Sequence, residues 1–239
     1  MFQDRLWPEG FEFPACQECN VGSGDHDLLI AILARMNPFE ETGNQDGKLQ
    51  GLIYAVNKQY PNLLSRMMPS ATEARRANRK LGITPNFGQT HQETGVAKVT
   101  KELHKAVCTL ARKLTKGVYY RNTGRIFLDE GCLLLNWFTN AELFRGDGYI
   151  VFDLLKEIGG NAPPIERSGK YLGDQFEFKL SLSPEQNVFI LQARFGEAFG
   201  FAVFGSTVPG LLEGIVGRMR EATTQQGPFA ILQSPILKD

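Results

Sequence analysis

The chain of 239 residues contains no run of eighteen or more apolar residues, so no membrane-spanning helix is expected. It does not open on a basic stretch followed by an apolar one, so no secretion signal is expected. Four cysteines in a chain of this length are too few for a disulfide framework, and the expected compartment is a reducing cytoplasm. Lys plus Arg and Asp plus Glu both number 26, so no global pull toward a polyanion or a membrane follows from net charge. Histidine is scarce as well, at three residues: His26, His91 and His104. What is plentiful is apolar residues, 42% of the chain, enough for a real core.

The balanced charge hides an uneven distribution. Between Arg66 and Arg121 there are twelve basic residues and three acids (Glu73, Glu93 and Glu102), a net of +9. The remainder carries fourteen basic and twenty-three acidic residues, a net of −9. An asymmetry of this kind points to a polyanion-binding face.

Periodicity places a buried helix over residues 24–36, closed by Asn37-Pro38, and further helical stretches over 48–58 and 63–68. Ser23 is placed to cap the first of these, with Asp25 and Asp27 favouring its dipole. Ser70 and Glu73 form a capping-box signature for the segment SATEARRANRKLG, with Gly82 as its C-cap. That helix carries Arg75, Arg76, Arg79 and Lys80, candidates for phosphate contact or simply a solvated face. A long amphipathic helix is expected over 96–116, stopped by Gly117, and the Tyr119 to Gly124 stretch reads as a strand entering a turn. His104 and Cys108, at i and i+4, suit a metal pair, and equally a surface histidine beside a buried thiol. A short helix is expected over 149–158 and a Pro/Gly-rich linker over 161–174. The period then changes to two: strands are expected over 176–182, 188–195 and 199–204, followed by a final helix over 211–222.

The densest chemistry is near the start, in WPEGFEFPACQECNVGSGDHDLLIAILARM. Cys16 and Cys19 close a CxxC turn, Asn20 follows at once, and Asp25, His26 and Asp27 open the helix. Two thiolates on one turn can share a zinc ion as half of a tetrahedral site. The same spacing also suits a redox dithiol, or two thiols with no metal.

FPACQECN followed by a short polar turn and a helix resembles the second half of the HNH-type endonuclease domain, in particular small bacterial and phage HNH-like proteins. KLTKGVYYRNTGRIF is a looser likeness to the same group. The resemblance implies that Cys16 and Cys19 are zinc ligands, that Asn20 helps to hold a catalytic Mg²⁺, and that His26 and Asp27 sit where the helix could offer a side chain back to the site, Asn20 and His26 being the catalytic candidates. It implies metal-dependent hydrolysis of DNA, with DNA as partner. The family's first cysteine pair and its general-base histidine have no counterpart in the fifteen residues before Cys16. The expectation is therefore an N-terminally truncated copy with an incomplete zinc ligand set, inactive as given. The alternative is a non-catalytic module that keeps the knuckle fold and binds nucleic acid or protein.

The expected fold is α+β: a CxxC turn–helix (half of a treble clef) over 1–36, a basic helical middle over 37–160, and an antiparallel β meander with a terminal helix over 161–239.

Overall fold

A computed structural model describes residues 7–13, 17, 23–36, 47–127, 131–141, 162–209, 211 and 229–231. The fold is α+β, with helices preceding and packing against a four-stranded antiparallel sheet. In chain order the helices are α1 (Gly24–Leu33), α2 (Leu49–Gln59), α3 (Leu63–Met67), α4 (Ala71–Leu81) and α5 (Lys101–Thr123). The strands are β1 (Val96–Lys98), β2 (Cys132–Thr139), β3 (Glu166–Arg167), β4 (Lys170–Tyr171), β5 (Glu177–Ser183), β6 (Val188–Phe195), β7 (Phe199–Ser206) and β8 (Phe229–Ile231). The expected helix over 149–158 and all but the first residue of the one over 211–222 lie outside the described residues. Among the described residues no helix is long and apolar enough to cross a membrane.

The sheet runs β2-β7-β6-β5. Strands β5, β6 and β7 are the meander that the alternating pattern predicts. The fourth strand, β2, comes from the apolar run before the expected linker and pairs with β7 from Cys132↔Ser206 to Thr139↔Phe199. The register lines up rows of side chains across the core face. One row is Phe178, Ala193, Phe201 and Trp137; the next is Leu180, Leu191, Val203 and Leu135; a third is Leu182, Phe189, Gly205 and Leu133. In the first and third rows a small residue, Ala193 or Gly205, sits beside aromatic ones and leaves room for their rings. At Gly205 the fit is literal: an added Cβ would lie 2.1 Å from Cζ of Phe189, whose ring covers that backbone. Phe176, Phe195 and Phe199 stack in sequence, with centroids 5.0 and 4.6 Å apart.

Helix α5 lies against this face and against α1, and a single core cluster takes in α1, α5 and the sheet. Its bounds differ from the expected ones at both ends. Residues 96–98 are extended because they pair with β8, more than a hundred residues away, a constraint that local periodicity cannot register. Thr100 then caps α5, its hydroxyl accepting from Leu103 N at 3.3 Å. At the other end Gly117 does not stop the helix. It lies inside α5, where a Cβ would sit 2.4 Å from a ring carbon of Phe13. The stop is Gly124, in the left-handed conformation at φ 67°, its N–H bonding to Tyr120 O. The Tyr119 to Gly124 stretch is therefore the last turn and cap of a helix, not a strand. Gly117→Val is expected to lower stability by about 1–3 kcal/mol through overpacking against Phe13. Thermal denaturation measures this, and part of the loss should return in the Gly117→Val, Phe13→Ala double variant.

Residues 7–13 form an arm with a turn at Glu9-Gly10, where Gly10 has φ 72°, and side chains fix it on both sides. Phe11 meets Phe13, Phe176 and Phe178 edge to face at 5.7, 5.5 and 5.6 Å, with the Arg121 guanidinium 5.1 Å from its ring centre. Trp7 lies under Arg167 of β3 at 4.5 Å, and its indole N–H donates to Glu12 at 2.6 Å. That bond is the main reason the Glu12 carboxyl sits below its ordinary pKa.

Candidate nucleic-acid interface

The four basic candidates share α4. The helix forms where expected because Ser70 and Glu73 cap it reciprocally. The Ser70 hydroxyl accepts from Glu73 N at 3.4 Å, and the Glu73 carboxylate accepts from Ser70 N at 2.8 Å. Those bonds, with Lys98 3.3 Å away, hold the Glu73 carboxyl below its ordinary pKa, the Ser70 backbone N–H contributing most. Gly82 closes the other end at φ 69°. Ala74, Ala77, Asn78 and Leu81 form the buried face. Arg75, Arg76, Arg79 and Lys80 are all exposed, and none makes an ion pair among the described residues. Three other cations of the basic segment are engaged, Arg66 with Glu102 at 2.8 Å, Lys98 with Glu73 and Lys113 with the Ser23 hydroxyl, whereas Lys101, Lys105 and Arg112 of α5 are exposed with no ion pair among the described residues. Ser23 thus stands at the N-cap position of α1 without capping it; its hydroxyl is turned to α5.

The loop that follows α4 is tied back to it. Asn78, fully buried, reaches Nδ1 and O of His91 at 3.0 and 3.2 Å and Oγ1 of Thr94 at 2.9 Å. A second reciprocal cap, Thr90 with Glu93, starts the 3₁₀ turn His91–Thr94. Gln92 donates to Pro69 O at 3.0 Å. His91 is therefore a structural clasp. Asn78 reads in the sequence as one more polar residue on a charged helix, and nothing local announces its partner thirteen residues away.

Cys16, Cys19 and Asn20 lie outside the described residues. His26 is half-buried in the first turn of α1, and its Nδ1 is buried with no hydrogen-bond partner. The neighbouring Asp25 accepts from Gln59 Nε2, linking α1 to α2. Among the described residues no group of three or more His, Cys, Asp or Glu side chains converges as a metal site.

His104 and Cys108 do meet, with Nε2 and Sγ 3.6 Å apart. The other ring nitrogen is occupied: Trp137 Nε1 donates to His104 Nδ1 at 2.9 Å. Indole N–H is only a donor, so Nδ1 is bare and the neutral ring carries its proton on Nε2, facing sulfur. The imidazole in this tautomer cannot accept the thiol proton. Burial also pushes the Cys108 thiol up, with Arg112 pulling the other way. The pair is thus poorly arranged for nucleophilic work. Tyr119 is packed against Phe127 and Phe189 at 5.5 and 5.2 Å and belongs to the core.

The α4 face therefore gathers four exposed cations on one short, doubly capped helix, while Lys101, Lys105 and Arg112 of α5 are exposed as well. Compared with family models, curated proteins and solved structures, the chain has no significant match in any of the three.

Proposed function

We propose that this protein binds nucleic acid through the exposed face of α4, as an HNH-endonuclease-like chain in which the Cys16–Cys19 turn is the zinc-knuckle half. The observation that carries the binding reading is the set of four exposed, unpaired cations on α4 in a segment of net charge +9. Phosphate contact by such side chains is sequence-independent and supplies most of the affinity of non-specific complexes.

Cys16 and Cys19 would hold zinc, and the unpartnered Nδ1 of His26, in the helix after that turn, is of the right donor type to join them. Zinc bound there would stabilise the turn between the arm and α1. The ligand set is short of four, so less than a full equivalent of tightly held zinc is expected, all of it lost in Cys16→Ser. Elemental analysis measures this; a tetrahedral Cys₄ or Cys₂His₂ spectrum would contradict it.

Binding without cleavage is the expected behaviour. His91 and His104 are committed to Asn78 and Trp137. His26 sits on a helix, whereas the HNH family carries its base on a strand, so no step of hydrolysis is assigned to Asn20 or His26. A mobility shift of DNA together with intact supercoiled plasmid in Mg²⁺ or Mn²⁺ is the predicted pair of results. Nicking that disappears in Asn20→Ala and His26→Ala would replace this reading by an active nuclease.

A further inference from the structure

Beyond the end of α4 the chain presents one aromatic side chain wholly to solvent. Phe87 has a relative exposure of 109%, the highest of the large apolar residues among those described. It stands at the tip of the turn Asn86–Gln89. Gln89 N bonds back to Asn86 O at 2.9 Å, and Gly88 supplies the positive φ, 83°, that a type II turn demands after it. The turn is braced: the Gln89 side chain accepts from Asn86 N at 3.1 Å and donates to Glu93 O at 2.6 Å. Beyond it the clasp of His91 and Thr94 to Asn78 fixes the loop to α4. The aromatic ring is held out on a rigid support.

Chain reach sets its distance from the cations. Phe87 is five residues past Gly82 and four before His91, so its Cα is within about 18 Å of the end of α4 and about 14 Å of the clasp on Asn78. That is a span of a few nucleotides from Arg79 and Lys80. Stacking on a flat apolar surface would remove this ring from water.

We propose that Phe87 stacks on an unpaired base of a single-stranded nucleic acid whose phosphates lie along the α4 cations. The inference rests on the binding reading above and adds to it the strand state of the ligand. Base stacking on an aromatic ring suits any sequence and is available only where bases are unpaired. The surroundings favour this partner over the two others that Phe87 could meet. A membrane would need further apolar residues beside it, and its neighbours are Asn86, Gly88 and Gln89. A protein pocket for the ring would leave the row of four cations without a role.

The test is fluorescence anisotropy with a labelled oligo(dT) of about 20 nucleotides and a duplex of equal length, using wild type, Phe87→Ala, Phe87→Leu and Phe87→Trp. The ring touches nothing that supports the fold, so all variants should melt as wild type does. Phe87→Ala and Phe87→Leu should lose affinity for oligo(dT) on the order of 10- to 100-fold, with the salt dependence unchanged. Phe87→Trp should keep the affinity, and its emission should be quenched on binding. Duplex affinity should be the same in all four. Equal oligo(dT) affinity in Phe87→Ala overturns the stacking role and leaves α4 binding standing. Failure of wild type to bind either nucleic acid overturns both. Binding to phosphatidylserine vesicles that Phe87→Ala abolishes, with oligo(dT) binding unaffected, assigns the ring to a membrane instead.

Discussion

Alanine at Arg75, Arg76, Arg79 and Lys80 together is expected to weaken nucleic-acid binding on the order of 100-fold at about 0.1 M salt, with the melting temperature unchanged or slightly raised. The two halves of that result have separate causes. All four side chains project into solvent from a helix whose packing is carried by Ala74, Ala77 and Leu81, and alanine is the strongest helix former. Removing them therefore takes away charge and nothing else. The loss should be graded, each single alanine costing a fraction of the total. A single substitution that abolished binding would indicate a specific bidentate contact rather than a row of phosphate contacts.

The largest loss of stability is expected at Trp137. The residue is 1% exposed at the β2 end of a sheet row, beside its register partner Phe201 and against α5. Its N–H is satisfied by His104, the rings being 5.9 Å apart. Trp137→Ala should cost about 3–5 kcal/mol from cavity formation, roughly 6–20 °C in melting temperature for a chain of this size. His104→Ala leaves the indole N–H without its partner and should cost about 1–3 kcal/mol. The double variant should cost less than the sum, because the two side chains form one unit. Chemical denaturation of the four species measures the coupling.

Those residues also show what the sequence can and cannot disclose. Signals that are local in the chain were legible: the capping box Ser70–Glu73, the C-cap Gly82, and the alternation of β5, β6 and β7. Each is decided by neighbours within a few residues. Features fixed by distant partners were not. Val96–Lys98 reads as the first turn of a helix until β8 pairs with it. Gly117 reads as a helix stop until the ring of Phe13 is seen to occupy its missing side chain. The i, i+4 pair His104 and Cys108 reads as a metal pair until Trp137 takes one nitrogen. The α4 cations could be listed from sequence, but that they stay unpaired while Arg66, Lys98 and Lys113 are engaged depends on where Glu73, Glu102 and Ser23 reach. Phe87 left one faint trace, an aromatic set between Asn86 and Gly88 where turn residues predominate.

The α4 face as a phosphate-binding surface is tested most directly by the salt dependence of binding. The observed association constant is followed from about 50 to 200 mM salt for wild type and for the four-alanine variant. The plot of log K against log salt should be steep for wild type and shallower by about 3 to 4 for the variant, one unit or slightly less for each phosphate contact removed. Parallel lines for the two proteins would place the phosphate contacts elsewhere and contradict the assignment.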